Sequence, residues 1–188
     1  MNGFLQEVGS LLISVVFGIY IFMLLLRLIF QIMRADFYNP LSQAIVKITN
    51  PPLLPLRKII PGLWGIDLAS VVLILVLQAI EIWLLLWVKG IPIKIDMLLL
   101  ISLGYLLKSI IWVFLGAILI RIILSWISPY AGAGQNPIIG LVYSISEPLM
   151  RRARRLLPSM GGLDFSPMLV IVGLYILLMA VNHLFGFR

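Results

Sequence analysis

Four stretches of this chain are too uniformly apolar for any polar face to survive, and each is at least as long as a hydrocarbon core is thick. They run from Leu11 to Met33, Leu68 to Val88, Met97 to Ile127 and Met168 to Phe187. A membrane-spanning helix takes about 20 residues at 1.5 Å rise, so each stretch predicts one span. The third exceeds that by about ten residues and predicts strong tilt or projection beyond the bilayer. Between spans one and two, and again between three and four, the pattern changes to the 3.6-residue period of amphipathic helices. Asn39-Pro40 and Asn136-Pro137 read as an N-cap followed by proline at the first helical position, and Asn50-Pro51 repeats the signal. Leu41, Ala44, Ile45 and Ile48 then share one side of a short interfacial helix, as do Ile138, Leu141, Val142 and Ile145 in the later connector. From Pro148 to Leu157, Leu149, Ala153, Leu156 and Leu157 face one way while Arg151, Arg154 and Arg155 face another, a basic amphipathic helix. Its earlier counterpart, Pro51 to Ile60, carries Arg57 and Lys58.

The two connectors are copies. Asn39-Pro40, Asn50-Pro51, Arg57-Lys58, Pro61, Gly65 and Asp67 return 97 residues later as Asn136-Pro137, Glu147-Pro148, Arg154-Arg155, Pro158, Gly162 and Asp164. Each copy follows a span bearing an arginine, Arg27 or Arg121, and precedes another span. A fixed period means one supersecondary unit was copied and its copies pack on each other. The chain therefore divides into repeats at 1–89 and 90–188, and the fold class is all-α: four transmembrane helices as two parallel two-helix repeats, with short amphipathic helices in the connectors.

Composition agrees with that solvent. Hydrophobic residues make up 62% of the chain and charged residues 11%, with a mean hydropathy of +1.16, against about 25% charged in soluble domains. Met1 to Ser10 contains Glu7 and no Lys or Arg, so it lacks the positive start of a cleavable signal and the first span is expected to be retained. Arg34, Lys47, Arg57 and Lys58 lie in one connector and Arg151, Arg152, Arg154 and Arg155 in the other; Lys89, Lys94 and Arg188 lie on the opposite side. That asymmetry places both connectors in the cytoplasm and both termini outside it. An even number of spans per copy makes the repeats parallel. The basic face of Arg57, Lys58, Arg151, Arg154 and Arg155 is expected to meet anionic headgroups, or to serve as a plain orientation anchor.

Ionisable residues inside spans are expensive and usually face partners. Arg27 and Asp67, and likewise Arg121 and Asp164, sit near the connector ends of their spans, so Arg–Asp pairing within or between the repeats is expected, with helix N-capping as the alternative or accompanying role for each Asp. Glu81 and Lys108 both lie about 20 Å from that end, and equal depth predicts an ion pair joining spans two and three, with snorkelling to the outer interface and then an ion pathway as the other readings.

Catalytic and metal-binding patterns are missing from the sequence. There is no cysteine, and the single histidine, His183, stands without companion ligands, as an interfacial histidine would. No phosphate loop, nucleophile elbow or zinc-binding helix motif occurs. The net charge of +7 resides where topology already requires it, so it adds no case for nucleic acid. No enzyme and no cofactor are expected.

The tandem pattern of arginine, Asn-Pro, Asn-Pro or Glu-Pro, basic cluster, and Pro-x(3)-Gly-x-Asp resembles the YggT family, over roughly residues 11–80 and 105–187. The resemblance implies a small integral protein of the bacterial inner membrane. Members carry one or two copies of the unit and are associated with osmotic-stress tolerance, and plastid relatives with cytochrome assembly or nucleoid organisation. Two functions stand open on the sequence. One is a scaffold or assembly factor docking membrane-protein partners or anionic lipid; the other is an oligomeric ion or small-solute conduit lined by the buried charges.

Overall fold

The computed structural model of the chain describes residues 2–63, 65–127, 136–156 and 164–187. Within them lie six helices: α1 (Asn2–Ile32), α2 (Pro40–Ile59), α3 (Leu68–Val88), α4 (Ile95–Ile127), α5 (Pro137–Leu156) and α6 (Ser166–Phe185). Helices α1, α3, α4 and α6 are each long and apolar enough to cross a membrane, which makes this an all-α multi-pass membrane protein. Helix α3 coincides with the expected span. Helix α4, at 33 residues, is about 50 Å long and overshoots a bilayer core of about 30 Å.

The connectors differ from expectation in one respect. Asn50-Pro51 and Glu147-Pro148 do not start second helices: α2 runs unbroken through Pro51, Pro52 and Pro55, and α5 through Pro148. Proline removes a backbone donor and normally kinks or ends a helix. Here the turn ahead of each proline is tied from outside the helix backbone. Thr49 Oγ1 donates to the Ile45 carbonyl at 2.6 Å and Ser146 Oγ to the Val142 carbonyl at 2.7 Å, and an arginine from the preceding span grips each hydroxyl. Tertiary contact overrides the local stop signal.

Both connector helices lie at the same end of the bundle, where Asn39 of the first repeat donates through Nδ2 to the Pro137 carbonyl of the second at 2.7 Å. The same side chain caps its own helix, with Oδ1 accepting from the Leu41 amide at 2.9 Å. Asn136 caps α5 in the same way, through the Ile138 amide.

The core is shared unequally. Ile21, Leu24, Leu25, Leu28 and Ile29 of α1 pack with Ala69, Leu73 and Ile74 of α3 and Leu53 of α2, and Leu106, Val113, Ala117 and Ile145 of the second repeat complete that cluster. A smaller cluster joins Ile111 and Leu115 of α4 to Leu178 and Val181 of α6. Large apolar side chains such as Phe4, Trp83, Trp87, Trp112 and Met179 cover the outside, as suits helices whose surroundings are lipid.

Helix α1 stops in a Schellman turn: the Ala35 amide donates to the Phe30 carbonyl at 2.9 Å and the Arg34 amide to that of Gln31 at 3.2 Å. The left-handed position falls on Arg34, φ 52°, whereas α3 and α6 place Gly90 and Gly186 there, φ 70° and 68°.

Candidate functional site: two arginine clamps and a basic cavity

The repeat architecture brings four motif arginines beneath or onto the connector helices. In the first copy, Arg27 leaves α1 and its Nη1 donates to Thr49 Oγ1 at 2.6 Å and to the Val46 carbonyl at 3.4 Å. In the second, Arg121 Nη1 donates to Ser146 Oγ at 3.0 Å. Both hydroxyls are fully buried. A hydroxyl has one proton and two lone pairs, so each can give its proton to the carbonyl four residues back and still accept from the guanidinium. The copies then diverge. Arg121 also pairs with Glu147 at 2.7 Å and lies over the Tyr143 ring at 4.3 Å. The residues 97 positions earlier are Asn50 and Val46, and among the described residues Arg27 makes no salt bridge.

The second layer of each site corrects the expected pairing. Asp67 pairs with Arg57, not Arg27, and also accepts from the Ser70 hydroxyl. Asp164 pairs with Arg154 at 3.1 Å, not with Arg121. The reason is reach: Arg57 and Arg154 each lie ten residues before their carboxylate, on the end of a connector helix that returns over it, while Arg27 and Arg121 turn up into those helices. Asp67 stands at the N-cap of α3, where its side chain makes no cap hydrogen bond among the described residues, whereas the Asp164 side chain accepts from the Ser166 amide at 3.0 Å. Burial pushes the Asp67 carboxyl up, but hydrogen bonds from Arg57 and Ser70 and the charge of Arg57 outweigh it and hold the group below its usual range. Asp164 follows the same direction: burial opposes, and bonds from Ser166 and Arg154 prevail.

Glu81 and Lys108 form no salt bridge with each other among the described residues. Depth matched them, but rotation separates them. Lys108 Nζ lies 4.6 Å from the ring centre of Phe187 and 5.8 Å from that of Tyr105, a cation–π arrangement at the end of α6. Glu81 instead lines a groove with Ser14, Gln78, Tyr105 and Ser109.

Of the basic face, Arg57 and Arg154 are engaged by aspartates, while Lys58, Arg151, Arg152 and Arg155 are exposed. Arg151 reaches Glu147 only at 4.0 Å. Gly65, at φ 81°, sits in the turn closed by paired Leu63 and Ile66 backbone bonds, and Pro61 leads into it. Pro158 and Gly162 lie outside the described residues. Thr49, Ser146, Ser42 and Arg34 were not foreseen as site residues; the period itself could have flagged the first two, since it superposes the two hydroxyls.

Beneath α2 a cavity of about 690 Å³ opens beside the first clamp, lined by Arg27, Gln31, Arg34, Ser42, Arg57 and Asp67 and walled by Phe30, Phe37 and Ile66. Its counterpart in the second repeat, about 620 Å³, is lined by Arg121, Tyr143, Arg154 and Asp164.

Comparison with known proteins matches this architecture to a family. The CCB3/YggT family model matches twice, over residues 7–88 and 100–185. An uncharacterized protein of Pseudomonas aeruginosa is 43% identical over 96% of this chain and 87% of its own length. The uncharacterized protein YggT of Escherichia coli K12 is 38% identical over 92% of this chain and 88% of its own. A protein of Vibrio alginolyticus is 40% identical over 88% of each. No solved structure matches the chain. Two family segments covering most of the sequence, with relatives of this identity along nearly their whole lengths, show that the chain belongs to the CCB3/YggT family.

Proposed function

We propose that the protein is a non-enzymatic scaffold or assembly factor of the bacterial inner membrane, with its connector helices in the cytoplasm and its termini on the periplasmic side. The observation that carries this reading is the clamping of both connector helices. Arg27 and Arg121 fasten them to the spans from below, Arg57 and Arg154 tie their far ends to Asp67 and Asp164, and Asn39 joins them to each other. Such bonding turns two connectors into one platform, fixed relative to the bilayer, with Lys58, Arg151, Arg152 and Arg155 on its outside. Each of those cations contributes about 1 kcal/mol toward an anionic leaflet. A link to osmotic-stress tolerance would run through whatever membrane protein docks there.

The conduit is the weaker reading. Leu24, Leu73 and Ile74, which lie along α1 and α3 between the level of Arg27 and Asp67 and that of Gln78 and Glu81, are all buried, and such apolar packing opposes an ion path within one chain. The test places photo-crosslinking side chains at Lys58, Arg151 and Arg155 in living cells, with Trp83 on the lipid-facing side as control. Discrete protein adducts at the platform, absent at Trp83, are the expected result. Absence of platform adducts, together with K⁺ or H⁺ flux in liposomes that Glu81→Gln abolishes, overturns the scaffold.

A further inference from the structure

We propose that the cavity of the first repeat is a binding site for a phosphate-bearing anion, a pocket beneath α2 that shares only Arg57 with the basic face and is independent of the scaffold reading. The argument starts from the difference between two copies of one unit. In the second, Arg121, Arg151 and Arg154 share Glu147 and Asp164, three guanidiniums against two carboxylates. In the first, Arg27, Arg34 and Arg57 line the cavity with Asp67 as the one carboxylate among the described lining residues, three against one. The position of Glu147 is held by Asn50, and that of Tyr143, which covers Arg121, by Val46. The guanidinium that the second repeat neutralises and covers is left in the first with a hydroxyl and a carbonyl.

Burial makes that imbalance significant. Arg27 is 7% exposed and Ser42 is 4% exposed, and a cation taken out of water needs a counter-charge. The Ser42 hydroxyl is buried with no hydrogen-bond partner among the described residues, although buried polar groups nearly always have one. Gln31 spans the cavity mouth, its Nε2 donating to the Gly65 carbonyl at 3.3 Å, and that amide nitrogen carries a second proton of the kind an anion accepts. Guanidinium forks and hydroxyls are the groups that recognise phosphate oxygens.

Backbone geometry points the same way. Arg34 occupies the left-handed residue of the α1 turn, where α3 and α6 use glycine, and side chains other than glycine are strained there. The cost brings a third guanidinium to the rim of the cavity. The surroundings favour a lipid as the source of the phosphate. Phe30 is a wall shared with an apolar cleft of about 410 Å³ between the repeats, lined by Leu26, Trp112, Ala117 and Leu141, which suits an acyl chain lying beside its headgroup.

The experiment uses the full-length protein in detergent micelles. Native mass spectrometry counts retained phosphatidylglycerol against phosphatidylcholine, and a parallel melt measures the response to inorganic phosphate. Arg34→Gly tests the site without threatening the fold, because glycine suits that turn; Ser42→Ala is the second variant, and Arg151→Gln removes equal charge from the outer face. Wild type is expected to retain phosphatidylglycerol at least tenfold better than phosphatidylcholine, Arg34→Gly and Ser42→Ala to lose that preference, and Arg151→Gln to keep it. A melting shift with inorganic phosphate that Arg34→Gly abolishes, without selective lipid retention, supports the site with a soluble anion as its source. If Arg34→Gly and Arg151→Gln behave alike, or if wild type shows neither lipid preference nor a phosphate response, the pocket is not an anion site.

Discussion

Replacing Thr49 by valine isolates one atom of the first clamp. Valine keeps the shape and the branched methyl, so the buried packing around α2 is unchanged and the hydroxyl alone is lost. Arg27 then loses the acceptor that it reaches at 2.6 Å, and a hydrogen bond to a buried charged group is worth about 1.5–3 kcal/mol. The bond from Thr49 to the Ile45 carbonyl also goes, at small cost, because that carbonyl still accepts within the helix. For a protein of this size about 1 kcal/mol corresponds to about 2–4 °C of melting temperature, so a loss of about 1.5–3 kcal/mol makes Thr49→Val melt about 3–12 °C lower. Thr49→Ser keeps the oxygen and loses one methyl group, about 0.8 kcal/mol. The second repeat provides an internal control: Ser146→Ala leaves Arg121 with Glu147 at 2.7 Å and the Tyr143 ring at 4.3 Å, and its loss should be the smallest of the three. Tryptophan-fluorescence melts of the purified protein in one detergent measure all of them. The clamp argument is refuted if the valine and serine variants at 49 melt together, or if Ser146→Ala falls as far as Thr49→Val.

Acid should weaken the connector ends. Asp67 and Asp164 are both held below their ordinary range, so the stability they contribute is complete above the unfolded carboxylate pKa of about 3.9 and is lost as pH falls through the lower folded value. Asp67→Asn should flatten that acid limb, as read from melting temperature against pH, while lowering stability at neutral pH; Arg57 is 36% exposed on its side chain, so solvent screening keeps the neutral-pH loss modest. Asn39→Ala removes both the α2 cap and the bond to Pro137; it should cost about 1–2 kcal/mol, with Asn136→Ala costing less, as measured by the same melts.

The spans were legible because membrane burial leaves a signature in run length alone: α3 matches its expected limits to the residue. The connector helices were legible in their starts, where Asn39 and Asn136 cap them, and illegible in their continuity. Asn50-Pro51 is a sound local start signal, defeated by Arg27 and Thr49, whose contact spans 22 residues of sequence. The charge pairs failed for a related reason. Depth can be counted along a helix, but the rotation of one helix against another cannot, and Lys108 turns to Phe187 instead of Glu81. Arg27 was the expected partner of Asp67, and Arg57 takes its place because α2 returns it over the carboxylate. The cavity was invisible, since Arg34, Ser42 and Arg57 converge only when α1, its terminal turn and α2 fold over one another.

The uneven sharing of the interior bears on how such a unit can exist singly. Leu106, Val113, Ala117 and Ile145 reach across to finish the packing around Leu24 and Ile74, so one hairpin with its connector ends in an uncovered apolar seam. A shorter protein made of a single unit would have to borrow that missing side from a second molecule. Tandem duplication replaces this encounter between separate chains with a tether, and so frees the two halves to drift apart in charge, as Asn50 and Glu147 have done.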